Sequence, residues 1–455
     1  MKFFELNSKM LSQLLPDQLR IISYKKSVAG SLLLILLLSF QWNTELQAQI
    51  PAPTQENPVA LIGGTIHPVA GEVVEDGTIL FEDGVITAIG TNIQLPAGTE
   101  RVNITGKHVY PGLIDAYSQI GLFEIGAVNM TVDLNEQGRI NPNAKAEVAF
   151  NPESRHIGVA RSSGVLVAVS LPGGGLISGQ SAAMMLDGWT WAEMVIKSGA
   201  GLIVNWPSPG NEDDYDKELQ ELKDFFANAR AYQTAARASE GNQAQRQDFD
   251  IRLDAMIPVL EGNIPVIASA NDLRQIQDAI TWSEEENIRL VILGGRDSHL
   301  VASHLVQKNI PVIITSVLTS PSRMWQSYDS EYSLPAKLSE AGVNFALAGT
   351  PSAANANRLA FEAGAAAAFG LSEDEALRAI TLSPAKILGF DDRVGSLETG
   401  KDATLLITTG NPMEYNSQIE QAYIQGRKID MNDAHRQFFD KYREKIRQKT
   451  NQGSR

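Results

Sequence analysis

The side chains able to carry chemistry are few and scattered. There are six histidines and no cysteine. Without cysteine there is no thiol nucleophile, thiolate zinc site, disulfide framework or lipid attachment at an N-terminal Cys. His299 and His304 are five positions apart, about 140° out of alignment on a helix, so they do not share a face. His67 and His108 fall in β-type text, His156 in a loop after Asn151-Pro152-Glu153, and His435 in a charged helix near the end. These read as surface or structural histidines. His299 stands apart because it opens a helix. No Gly-x-Ser-x-Gly elbow is present, and Ser178 has no evident histidine partner in the sequence. The run Pro172 to Gln180 is glycine-rich and follows a strand, so its backbone N–H groups could cradle an anion. It lacks the Gly-Lys-Ser/Thr ending of a nucleotide loop, and a close-packed loop is the plainer reading. Trp189 and Trp191 alternate with Thr190 and read either as packing or as an aromatic ligand platform.

These residues must be positioned by two kinds of element. Residues 58–110 are short apolar runs separated by turn signals, and Asp83-Gly84 between two such runs predicts a hairpin. Beyond Pro111 the rhythm becomes strand then helix. Strands are expected at 165–170, 201–204, 264–268, 289–293, 310–315 and 343–348, and helices at 217–236, 272–286, 298–308, 333–341 and 355–369. Nearly continuous apolar strands alternating with helices indicate parallel βαβ units, which close most simply into a barrel; a doubly wound open sheet is the alternative. Residues 205–257 read as a polar insertion of two helices, a lid or a surface excursion. β-type text returns after Asp391, and residues 431–455 form a helix and tail.

The chain carries a net charge of −15. Residues 1–48 read as a signal peptide. Lys25 and Lys26 precede an apolar run from Val28 to Phe40, and Leu46-Gln47-Ala48 resembles a cleavage site. That run is short for a bilayer span of roughly 20 residues, although an uncleaved anchor is the competing reading. Met1 and Met10 are both candidate starts, and residues 49–57 form a Pro-rich linker. The expected location is the periplasm or the exterior. Removal of 1–48 takes away five basic and three acidic side chains and leaves −17. Such an acidic surface repels nucleic acid and anionic membranes, and it favours solubility.

Three stretches resemble the amidohydrolase superfamily, and in particular its imidazolonepropionase-like secreted members. VYPGLIDAYSQIG (109–121) resembles the PGLIDxHxH strand. ALRAITLSPAKILGFDDRVGSLETGKDATLLI (376–407) is similar to the family's closing "TxxPAxxLG…GSIExGKDADLVI". LIGGTIHP (61–68) with DGTILFEDGVITAIG (76–90) resembles the opening hairpins. The resemblance covers roughly residues 58–430. It implies an α/β fold: a (β/α)8 TIM barrel over 111–390, with a composite β-sandwich domain built from 58–110 and 391–430.

In active relatives the His-x-His supplies two imidazoles to Zn²⁺ or a similar ion, which turns a bound water into hydroxide. Here the resemblance puts Tyr117 and Gln119 at those positions, Ser269 at the fifth-strand histidine and Thr350 at the eighth-strand aspartate. The sixth-strand histidine would fall at Leu293-Gly294-Gly295, and the stretch 201–206 offers no bridging lysine. A phenol and a neutral amide are poor ligands. The expectation is therefore a barrel without a metal cofactor, whose pocket is lined by Tyr117, Gln119, Ser269 and Thr350. It would bind a small molecule, or pair with itself or with an active relative. The alternative is a working hydrolase of carbon–nitrogen bonds in cyclic amides, with an unrecognised metal set or an acid/base pair such as Asp115 with Tyr117. Asp115 and His299 are the additional candidate residues.

Overall fold

The computed structural model describes residues 50–238 and 248–453. The segment 1–48 and the helix junction near Gly241 lie outside the described residues.

The chain enters through β1 (Val59–Ile66), β2 (Val74–Glu82), β3 (Val85–Gly90), β4 (Glu100–Asn103) and β5 (His108–Pro111). Between β2 and β3, Asp83 and Gly84 both have positive φ, 51° and 81°, the two-residue turn that the Asp-Gly pair favours. Much later the chain returns as β14 (Leu405–Thr408), β15 (Ile419–Ile424) and β16 (Arg427–Lys428). β14 pairs antiparallel with β5, Leu406 facing Tyr110 and Ile407 facing Val109. Both ends of the chain thus share one eight-stranded sheet, ordered β16-β15-β14-β5-β1-β2-β3 with β4 beside β1. The expected sandwich is one continuous sheet, and its strands share a core that includes Leu61, Ile79, Phe81, Ile86, Leu405 and Ile407.

The second eight-stranded sheet runs β6 (Leu113–Ser118), β7 (Val165–Ser170), β8 (Ile177–Met185), β9 (Val195–Asn205), β10 (Val266–Ala270), β11 (Leu290–Gly294), β12 (Val312–Thr315) and β13 (Phe345–Ala348). Seven strands run the same way, but β8 is antiparallel to both β7 and β9, which departs from the all-parallel barrel expected. The cause is connection length. A parallel crossover needs about a dozen residues or more. Only Leu171–Leu176 separates β7 from β8, and the link from β8 to β9 holds one four-residue helix, Trp191–Met194. Two hairpins are all that these links allow. β8 also absorbs the second half of the glycine-rich run.

Helices α1 (Arg155–Ser162), α2 (Glu212–Ala238), α3 (Ile251–Leu260), α4 (Leu273–Glu285), α5 (Ala302–Lys308), α6 (Ser330–Glu340), α7 (Leu359–Ala368), α8 (Glu373–Ala379) and α9 (Leu382–Leu388) follow. The polar segment 205–257 is neither lid nor surface excursion. α2 buries Tyr215, Leu222, Phe226 and Ala229 in the core cluster that holds the other outer helices, and Phe226 meets Trp282 edge-on at 4.8 Å. The barrel interior is a separate apolar plug of residues such as Ile114, Val167, Ile267, Leu293, Ile313 and Ala346, continuous with Ala385, Leu388 and Phe390.

Asp187, buried in the link after β8, ties the two sheets together. Its carboxylate pairs with Arg161 of α1 at 2.6 Å and with Arg427 of β16 at 2.9 Å, and it accepts the Ala52 amide at 3.2 Å. Removing one partner of a buried pair strands the other charge, at a cost of about 3–5 kcal/mol. We expect Asp187→Asn to lower the stability measured by urea denaturation by about 3 kcal/mol or more. A loss under about 1 kcal/mol would mean that water already satisfies both guanidinium groups.

Candidate functional site

The mouth at the C-terminal ends of the parallel strands collects polar side chains above the apolar plug. Ile114 and Ala116 point inward by ordinary alternation, since both belong to the interior cluster. The register with β7 then slips between Asp115 and Ser118. This bulge turns Tyr117 inward as well, where it packs on the same plug. Burial raises the Tyr117 phenol above its usual pKa, and Asp115 adds to the effect. Gln119 follows, and its backbone N–H donates to the Pro351 carbonyl at 3.0 Å. That bond sets it beside Thr350, whose hydroxyl accepts from Asn355 at 3.1 Å.

Ser269 sits on β10 in register with Asn205 of β9 and Leu293 of β11. It shares the inward alternation of Ile267. Asn205 escaped the sequence reading. Its amide nitrogen reaches the Gly175 carbonyl at 2.9 Å and the Ser178 hydroxyl at 3.0 Å, which fixes the glycine turn at the mouth. That turn is the close-packed alternative and not an anion cradle. The amides of Gly173 and Leu176 donate to Leu134 and Arg139 carbonyls at 2.7 and 2.6 Å. A cavity of about 460 Å³ opens beside this turn, lined by residues that include Asp133, Asn135, Lys145, Pro172 and Ser178.

The other candidates are set differently. Asp115 is 1% exposed, within the wall. Its carboxylate accepts the Tyr117 amide at 3.3 Å and the amide of Gly349, just past β13, and bonds Ser118, while Oδ2 is buried without a partner. Burial pushes this carboxyl up to about 7, and Glu362 of α7 adds a smaller push. His299 lies on the turn Ser298–Val301 after β11. Burial lowers its pKa, Lys337 of α6 lowers it further, and its Nδ1 is buried without a partner. Trp189 and Trp191 are exposed on the link after β8, at the end of the barrel opposite the mouth, so this pair forms no platform at the mouth. A larger cavity of about 670 Å³ also sits at that opposite end, beside the N-terminal ends of β10 to β13.

The sequence reading also missed a charge cluster that shapes the rim. Arg323, in the loop after β12, binds both oxygens of Asp297 at 2.8 Å and also pairs with Asp272. Burial works to raise the Asp297 carboxyl; Arg323 and the Leu273 amide overcome it and leave it below its usual range. The loop so pinned exposes Met324, Trp325 and Tyr328. Asp272 and Asp297 each follow a strand end, but their shared partner is distant in sequence, so no local signal joins them.

The donor set does not fit a hydrolytic metal. Among the described residues no three of His, Cys, Asp and Glu gather as ligands. Tyr117, Asn205 and Ser269, and Gln119 and Thr350 at the strand ends, carry neutral hydroxyls and amides, weak toward Zn²⁺.

Comparison with known proteins fits this frame. The Amidohydrolase family model matches residues 275–433. Over 409 residues the chain is 22% identical to the amidohydrolase tasK of Hapsidospora irregularis, covering 80% of this chain but only 42% of that relative. It is 23% identical to an imidazolonepropionase of Geobacillus kaustophilus over 438 residues, 82% of this chain and 96% of that one. Among solved structures, an amidohydrolase from Thermotoga maritima superposes with a TM-score of 0.73 at 28% identity, covering 82% of this chain and 99% of its own. The chain belongs to the amidohydrolase superfamily, as an imidazolonepropionase-like member.

Proposed function

We propose that this chain is a non-catalytic member of its superfamily, exported through its N-terminal segment, which binds a small polar molecule at the barrel mouth. The observation that carries this is the neutral donor set. Tyr117, Gln119, Ser269 and Thr350 stand where the resemblance expects metal ligands, and none is an imidazole or a carboxylate. Such groups hydrogen-bond a ligand well but do not turn water into hydroxide. The pinned loop after β12 exposes further apolar area at Met324, Trp325 and Tyr328. Pairing with a second copy or with an active relative extends the same reading.

The first test is metal content of the purified protein by plasma mass spectrometry, before and after Zn²⁺ loading and buffer exchange. Less than about 0.1 equivalent is expected in both samples, because a site of three or more good ligands holds zinc through exchange. One tightly held equivalent would overturn the reading.

A second reading, a working carbon–nitrogen hydrolase with Asp115 as acid or base beside Tyr117, is favoured by one observation: a carboxyl poised near 7 suits proton transfer. Its burial and its bonds to the Tyr117 and Gly349 amides favour a structural part instead. The two parts separate by pH. A carboxyl raised from 3.8 to about 7 binds more protons folded than unfolded. Its stabilising contribution is complete below pH 4 and is lost as pH climbs toward and through 7. Asp115→Asn should therefore flatten the pH dependence, so that wild type loses up to about 2 kcal/mol relative to the variant between pH 5 and 8 in denaturant titrations. Parallel pH profiles in the two proteins, together with hydrolysis of a cyclic amide that only the wild type performs, would favour the catalytic part.

A further inference from the structure

The last helix, α10 (Ala434–Gly453), has an apolar stripe that nothing in the described residues covers. Its start is fixed: the buried Asp433 carboxylate accepts the His435 and Arg436 amides at 2.6 and 3.1 Å, and Arg436 reaches the Ser162 carbonyl of α1 at 3.4 Å. From Ala434 to Thr450 every residue except Glu444 is exposed. Phe438, Phe439, Tyr442 and Ile446 show 55%, 64%, 54% and 66% of their surface. At 3.6 residues per turn these four fall within about 100° of arc. A lone helix of this length is marginal in water, so an uncovered stripe on it calls for a partner.

The charges say what kind of partner. Residues 434–453 hold six cations, Arg436, Lys441, Arg443, Lys445, Arg447 and Lys449, against Asp440 and Glu444. The helix is thus +4 on a chain of −15. Lys441 and Lys445 flank one edge of the stripe and Lys449 falls within its arc beyond Ile446; Arg436, Arg443 and Arg447 lie beyond the other edge, Arg443 and Arg447 paired with Asp440 and Glu444, which fall about 160° from Tyr442. The flanking cations lie along the aromatic rings: Lys445 is 5.8 Å from the Tyr442 ring and Arg443 is 5.2 Å from that of Phe439. Apolar residues below, cations at the level of the stripe edges and acids on the far side make the layout of a helix lying in a lipid headgroup layer. Pairing two copies of this stripe would set two +4 helices face to face. An anionic headgroup layer matches the same charges.

We infer that α10 docks on an anionic lipid surface, parallel to it, with Phe438, Phe439, Tyr442 and Ile446 inserted among the headgroups. The acidic body is no obstacle, because its repulsion is screened beyond about 8 Å at physiological salt while the helix cations act in contact.

The test is flotation of the full chain with vesicles of phosphatidylcholine alone and of phosphatidylcholine containing about one third phosphatidylglycerol. At least about tenfold more protein should float with the anionic vesicles, and the excess should fall as salt is raised. Combined Phe438→Ser, Phe439→Ser, Tyr442→Ser and Ile446→Ser should abolish the excess with circular dichroism and melting unchanged. Equal flotation with both vesicles, or an excess kept by the variant, would overturn the inference. So would a two-copy mass by light scattering that falls to one copy in the variant while neither protein floats.

Discussion

The barrel depends on how its first and last strands meet. β6 and β13 are neighbours in space but share no ladder in the sheet, whose hydrogen-bonded path runs from β13 to β6 the long way round. Across this seam the Gln119 backbone amide donates to the Pro351 carbonyl at 3.0 Å, and the Asp115 carboxyl of β6 is buried near the Gly349 amide just past β13. The same seam borders the mouth, because Tyr117, Gln119 and Thr350 are the residues next to it. A bulge at Tyr117 supplies the inward turn that simple alternation denies it. Site geometry and barrel closure thus meet at the same few residues.

The second constraint is length of connection. Helices cross between parallel strands wherever the chain offers enough residues, and β8 turns antiparallel where it does not. The hairpin that results brings Ser178 to Asn205 at the mouth and carries Trp189 and Trp191 to the far end. Asp187, in the same link, then receives Arg161 and Arg427, so the irregular strand also joins the barrel to the sheet made from both chain ends.

Much of this was legible in the sequence, for reasons that differ by element. Buried strands such as Leu290–Gly294 announce themselves as apolar runs, and Asp83-Gly84 carries its own turn geometry. The motifs at 109–121 and 376–407 carried the superfamily. What stayed hidden was set by partners distant in the chain. β8 begins inside a glycine-rich run that reads as a loop, and only its pairing with β7 and β9 makes it a strand. α2 is polar enough to pass for an excursion; the helical spacing of Leu219, Leu222, Phe225 and Phe226 marks a packing face, but not that it packs against Trp282. Arg323 lies far from Asp272 and Asp297 in sequence, so no local pattern predicts their cluster. The bulge at Tyr117 depends on register, which one strand read alone cannot specify.

The contrast between frame and mouth bears on function. Packing selects apolar residues across whole strands and helices, and relatives at 22–28% identity keep such a frame because many combinations fill it. Metal chemistry depends on a handful of side chains at strand ends, each needing an imidazole or carboxylate at one position. A change of side chain there leaves the apolar plug beneath untouched. The frame therefore persists under less demanding conditions than the chemistry, and membership of the superfamily constrains the one far more than the other. In this chain the reading of a binding barrel therefore rests on the side chains at the mouth, which are suited to hydrogen bonding, and not on the fold.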